Sequence, residues 1–81
     1  MKDSIIFVSD LCPDCRALVE EYKEHPEKFA DSEFVNITSS MASLKLFLKY
    51  RDELDGYKDA KDNYRVGVPS RVIGESEVEF L

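Results

Sequence analysis

The sequence predicts a small α/β domain: a mixed four-stranded sheet with helices on both faces, in the order β-α-β-α-β-β. Three observations carry that reading. The chain opens with a continuous apolar run, two later stretches place apolar residues at helical spacing, and the last dozen residues hold two short apolar segments around a glycine turn. All 81 residues fit one domain with one small core, without repeats, low-complexity tracts or a linker.

Ser4 to Ser9 reads as a strand covered on both faces, because consecutive rather than alternate residues are apolar. From Cys12 the period changes: Cys15, Leu18, Val19 and Tyr22 fall at i, i+3, i+4 and i+7, one stripe of a helix. Pro13 suits its first position, where a backbone N–H would have no partner, and this makes Cys12 the N-cap. His25-Pro26 ends that helix, and Glu27 to Ser32 is a polar connection around Phe29.

Glu33 to Thr38 alternates, with Val35 and Ile37 on one face, and is a second strand. Thr38-Ser39-Ser40 supplies cap oxygens for a helix from Met41 to Leu54, whose apolar face takes in Met41, Leu44, Phe47, Leu48, Tyr50 and Leu54. Gly56 is placed to cap its C-terminus. Lys58 to Asn63 has room for one further turn. Pro69 then precedes a strand over Ser70 to Ile73, a turn at Gly74-Glu75-Ser76 and a final strand from Glu77 to Leu81. The first two strands should be parallel with a right-handed crossover, the last two an antiparallel hairpin.

Composition removes several function classes. A net charge of -6 leaves no basic face for nucleic acid and disfavours anionic membrane surfaces. No segment approaches the roughly 20 apolar residues that span a bilayer. The stretch from Ile5 to Val8 is too short for a signal sequence, so a cytoplasmic location is expected. In that reducing compartment a lone pair of cysteines is more often catalytic or metal-binding than a structural staple.

The only two cysteines stand in Cys12-Pro13-Asp14-Cys15, at the junction of the first strand and first helix. Two thiols at this spacing can alternate between a dithiol and a short-loop disulfide. The helix start favours a thiolate at Cys12, whose sulfur is expected to meet unpaired backbone N–H groups, that of Cys15 included. Asp10 and Asp14 oppose this weakly. Cys15, one turn inside and on the apolar stripe, should keep its proton. The exposed sulfur attacks and the sheltered one resolves.

A Cys-x-x-Cys after the first strand of this element order, with Gly67-Val68-Pro69 opening the third strand, resembles the thioredoxin-fold pattern. Within it the chain is similar to the glutaredoxins, above all to the short bacterial glutaredoxin-related proteins, over nearly its whole length. The resemblance implies a thiol–disulfide oxidoreductase with Cys12 as attacking thiolate and Cys15 as resolving thiol. Pro69 would be a cis-proline facing the dithiol, and Pro13, Val68 and Pro69 would contact substrate, the Val68 backbone pairing with an extended chain beside the disulfide. Substrates would be protein or small-molecule disulfides. Glutathione or a flavin-linked thiol reductase would return the electrons, and no cofactor is required.

Three positions depart from the family. Gly67 stands where threonine is common, Ser9-Asp10-Leu11 lacks the usual lysine, and the chain stops at Leu81, where a Gly-Gly turn and a helix that bind glutathione would begin. A domain lacking the usual C-terminal helix is therefore expected, without the turn and helix by which the family binds glutathione. Arg16 reads as a solvated helix residue and Arg71 as either an edge charge or an anion contact, while His25 is a helix-end residue. A competing class remains: a non-enzymatic carrier holding zinc or an iron–sulfur cluster through two Cys-x-x-Cys motifs in a dimer, since zinc takes four ligands and one chain offers two thiolates. A third is a scaffold whose dithiol senses redox state.

Overall fold

Residues 4–74 and 76–81 are described by a computed structural model. The sequence-predicted turn at Gly74-Glu75-Ser76 falls partly outside them, at Glu75. Strands β1 (Ser4–Val8), β2 (Ser32–Asn36), β3 (Ser70–Ile73) and β4 (Glu77–Phe80) form one mixed sheet in the order β2-β1-β3-β4. Helix α1 (Arg16–Glu24) connects β1 to β2, and α2 (Met41–Glu53) and α3 (Lys58–Asp62) lie between β2 and β3. β1 and β2 are parallel with Ser4 opposite Ser32, whereas β1–β3 and β3–β4 are antiparallel, with Ile6 opposite Arg71 and Val72 opposite Val78. No helix among the described residues is long and apolar enough to cross a membrane.

The unbroken apolar run of β1 follows from its position inside the sheet, since side chains of a strand alternate between faces. Ile6 and Val8 pack with Cys15, Leu18, Val19, Phe29 and Phe34 beneath α1. Phe7 turns to the opposite face, joining Ile37, Phe47, Tyr50, Tyr57 and Val72 beneath α2. The rings of Phe7 and Phe47 lie 5.0 Å apart, and Phe47 meets Tyr57 edge-on at 5.7 Å. Tyr57 keeps its hydroxyl satisfied in this apolar layer through a 2.7 Å bond with Ser70 Oγ.

Local chemistry accounts for where the elements differ from their expected bounds. β1 ends at Val8 because the N–H of Ser9 turns to the sulfur of Cys15 at 3.4 Å. β2 ends at Asn36, not Thr38: the Asn36 side-chain oxygen accepts the N–H of Thr38 at 3.1 Å and turns the chain, although Ile37 still donates to Val8 O. Ser40 caps α2 by accepting the N–H of Ser43 at 3.1 Å. Met41, expected on the buried face, is 68% exposed, one turn ahead of the point where Leu44 and Phe47 reach the core. The connection at 27–32 is not wholly irregular. Pro26–Phe29 forms a 3-10 turn whose Phe29 ring packs edge-on against Phe34 at 5.2 Å, while Tyr22 stacks on Phe34 at 4.1 Å. β4 stops at Phe80 rather than Leu81.

Gly56 does not cap α2, which ends on Leu54 in an extended conformation. It sits in a 3-10 turn (Asp55–Tyr57) pressed against β4, where an added Cβ would lie 2.6 Å from Val78 Cβ. Val78 is β-branched and cannot swing away. Gly56→Ala is therefore expected to destabilise the domain by about 1–3 kcal/mol through overpacking, read as a lower urea midpoint. An unchanged midpoint would contradict the close approach.

Candidate active site

The carboxyl end of β1 delivers the chain to Cys12, whose extended backbone (φ -98°, ψ 118°) precedes a 3-10 turn over Pro13–Cys15 that runs into α1. Pro13 takes the first position, as its missing N–H allows. Cys12 is half-buried and Cys15 wholly buried. Both are free thiols, and they lie 3.6 Å apart. One expectation is corrected. The Cys12 sulfur makes no capping hydrogen bond; the N–H of Cys15 goes instead to the Cys12 carbonyl at 3.1 Å, because the tight first turn satisfies that donor from the backbone.

Burial under α1 pushes the Cys15 thiol up to about 11, against a weaker opposite pull from the Ser9 N–H. Cys15 thus holds its proton in the folded chain across neutral pH. The same burial makes stability fall at alkaline pH. Below the ordinary value of 9.0 both states keep the proton, and between there and about 11 the unfolded chain loses it first. Tyr57, raised by burial, adds a loss of the same sign at higher pH. Urea unfolding from pH 7 to 11 should show this decline, shallower in Cys15→Ala. Equal slopes in the two proteins would contradict it.

The loop after β1 is braced from the turn that follows β2. Thr38 donates its hydroxyl to Asp10 Oδ1 at 2.6 Å, which holds the Asp10 carboxyl below the usual carboxylate range. Ser9 and Thr38 hydroxyls meet at 3.0 Å, and Ser9 Oγ accepts the N–H of Leu11 at 3.1 Å. These bonds fix the approach to Cys12. The sequence marks Thr38 only as a source of cap oxygens for α2, and nothing in its position signals this second use.

Across from the dithiol runs the segment that leads into β3. The Val68–Pro69 peptide is cis, and among the described residues Val68 enters none of the loop backbone hydrogen bonds. Gly67 has a φ of +106°, a conformation open to glycine, and an added Cβ would meet the Tyr57 ring at 3.2 Å. Glycine rather than threonine is what this backbone admits. Arg51 of α2 holds the segment upstream, its Nε donating to Val66 O and its Nη2 to Arg65 O, both at 2.8 Å. Tyr64, the residue before, has a φ of +58° and is exposed.

Together the two segments form an open groove of about 1250 Å³, with Leu11, Cys12 and Asp14 from one and Val66, Val68 and Pro69 from the other. The structure therefore brings Cys12, Val68 and Pro69 to one place. Cys15 lies buried behind Cys12, and Pro13 is exposed outside the groove wall. Arg16 is exposed on α1. Arg71 does not reach the groove; it faces Glu79 at 3.7 Å. His25 sits at the far end of α1, 3.4 Å from Glu27. Among the described residues no three or more His, Cys, Asp or Glu converge as a metal shell. Sequence reasoning missed Val66 and Phe80, which line the groove, and Arg51, which holds its wall, since they stand 39 to 68 residues beyond Cys12 and reach it only through the fold.

Comparison with known proteins finds an uncharacterized protein of Haemophilus influenzae that is 28% identical over 78 residues, covering 96% of this chain and 87% of that protein. No family model matches the chain, and no solved structure matches it.

Proposed function

We propose that this chain is a thioredoxin-fold, glutaredoxin-like thiol–disulfide oxidoreductase. One observation carries the reading: a half-buried thiol at a helix start opens on a groove beside Val68–Pro69, with a second, protonated thiol 3.6 Å behind it. Its thiolate form is the nucleophile in exchange. Cys12 attacks one sulfur of a substrate disulfide, forming a Cys12–substrate bond and expelling the other sulfur as a thiolate. That thiolate or water takes the proton of Cys15. Cys15 then attacks the Cys12 sulfur, closing the Cys12–Cys15 disulfide and releasing the second substrate thiol. Two electrons pass to the substrate, and two thiols of glutathione, or a flavin-linked reductase, return them.

The burial of Cys15 supports this order of events. A thiol pushed up to about 11 keeps its proton at neutral pH and is a poor nucleophile, so the first attack falls to Cys12. The test is turnover of hydroxyethyl disulfide with glutathione or a flavin-linked thiol reductase as sole donor. Turnover with either supports an enzyme. A purified protein that turns over with neither, and carries stoichiometric metal or visible absorbance lost in Cys12→Ser, would establish the carrier class instead.

A further inference from the structure

We propose that the groove beside Cys12 takes a disulfide carried by a polypeptide, with apolar and basic residues flanking its cysteines, in preference to the disulfide of glutathione. This rests on the thiol-exchange reading above and narrows its substrate. The exchange is the one written there: the peptide disulfide gains two electrons and becomes two thiols, Cys12 and Cys15 become a disulfide, and an external thiol reductant restores them.

Size is the first argument. A groove of about 1250 Å³ exceeds the roughly 300–1,000 Å³ of small-molecule pockets. The second is its apolar rim. Leu11 is 79% exposed, Val66 54% and Phe80 51%, and all three line the same groove as the Cys12 thiol. Large apolar side chains gathered at one exposed place mark a surface that receives a partner. Glutathione is a tripeptide with no large apolar side chain to set against them.

Charge is the third. Besides the Cys12 thiol, the ionisable side chains of the groove are Asp14 and Asp59 against Arg65, and the chain as a whole carries -6. Glutathione brings two carboxylates and one ammonium, and its disulfide twice that, so it meets one cation and a net repulsive field. A basic flanking residue on a peptide meets Asp14 or Asp59 instead. The fourth is preorganisation. Arg51 pins the carbonyls of Arg65 and Val66 with two 2.8 Å bonds, so the Val66 wall stands in place before any substrate arrives. A rigid wall lowers the ordering cost of binding an extended segment.

The experiment compares kcat/KM for two substrates, a synthetic peptide closed by a cystine flanked with leucine and lysine, and glutathione disulfide, using wild type and Val66→Lys. The native protein should favour the peptide by at least about tenfold. Val66→Lys removes an apolar contact and adds a cation, so the peptide should slow while glutathione disulfide speeds up. A variant that merely loosened the fold would slow both. Wild-type preference for glutathione disulfide, or a parallel fall for both substrates in the variant, overturns the proposal and leaves thiol exchange standing. Failure of the native protein to reduce either substrate overturns both readings.

Discussion

Cys12→Ser is expected to reduce disulfide exchange to the uncatalysed level, while Cys15→Ser stalls after the first step with the substrate bound to Cys12. The asymmetry comes from the placement of the two sulfurs. Cys12 opens on the groove shared with Val68 and Pro69, whereas Cys15 is sealed beneath α1 among Ile6, Val8 and Leu18. With serine at 15, nothing 3.6 Å behind Cys12 can displace the bound thiol. Intact mass spectrometry after incubation with a peptide disulfide should find a one-to-one adduct on Cys15→Ser and none on Cys12→Ser. Adducts that form equally on both variants would contradict the assignment of roles.

Phe47→Ala should have the largest effect on stability, about 3–5 kcal/mol. Phe47 is fully buried and touches the rings of Phe7 and Tyr57, so truncation opens a hole between α2 and the sheet. A chain of this size has on the order of 4–12 kcal/mol in total, which puts the variant at the edge of unfolding. Phe47→Leu, which keeps most of the volume, should lose less than half as much. Urea unfolding reads both. The site should feel the change too: the Phe47 ring lies 3.6 Å from the place a Cβ on Gly67 would occupy, just before Val68–Pro69. If Phe47→Ala costs under about 1 kcal/mol, the Phe7, Phe47 and Tyr57 rings are not what holds α2 to the sheet.

The sequence showed most of the frame because its signals are local. The consecutive apolar residues of β1 reflect a strand covered on both faces, and Ser40 caps α2 as a hydroxyl before a helical stripe should. Cys12, Pro13 and Cys15 announced a strand-to-helix junction through spacing alone, and Val68–Pro69 lies in the same groove as Cys12. What escaped were features made by distant contacts. Arg51 carries no local signal of a role, yet its guanidinium fixes carbonyls 14 and 15 residues away. Gly56 has the look of a helix cap, but its lack of a side chain serves the approach of Val78. Phe29 falls in a polar stretch, and only the fold shows that Tyr22 and Phe34 complete its aromatic cluster. The capping bond expected for the Cys12 sulfur failed for a local reason, since a 3-10 first turn hands the Cys15 N–H to a carbonyl.

The most direct test of the account is a redox titration of the reduced protein, resolved by intact mass and peptide mapping. Across a series of thiol–disulfide buffers the protein should pass in one two-electron step to a species lighter by two hydrogens, with Cys12 joined to Cys15. Two thiols that stay reduced, or that are oxidised separately as independent mixed disulfides, would show that the pair does not act as a redox couple.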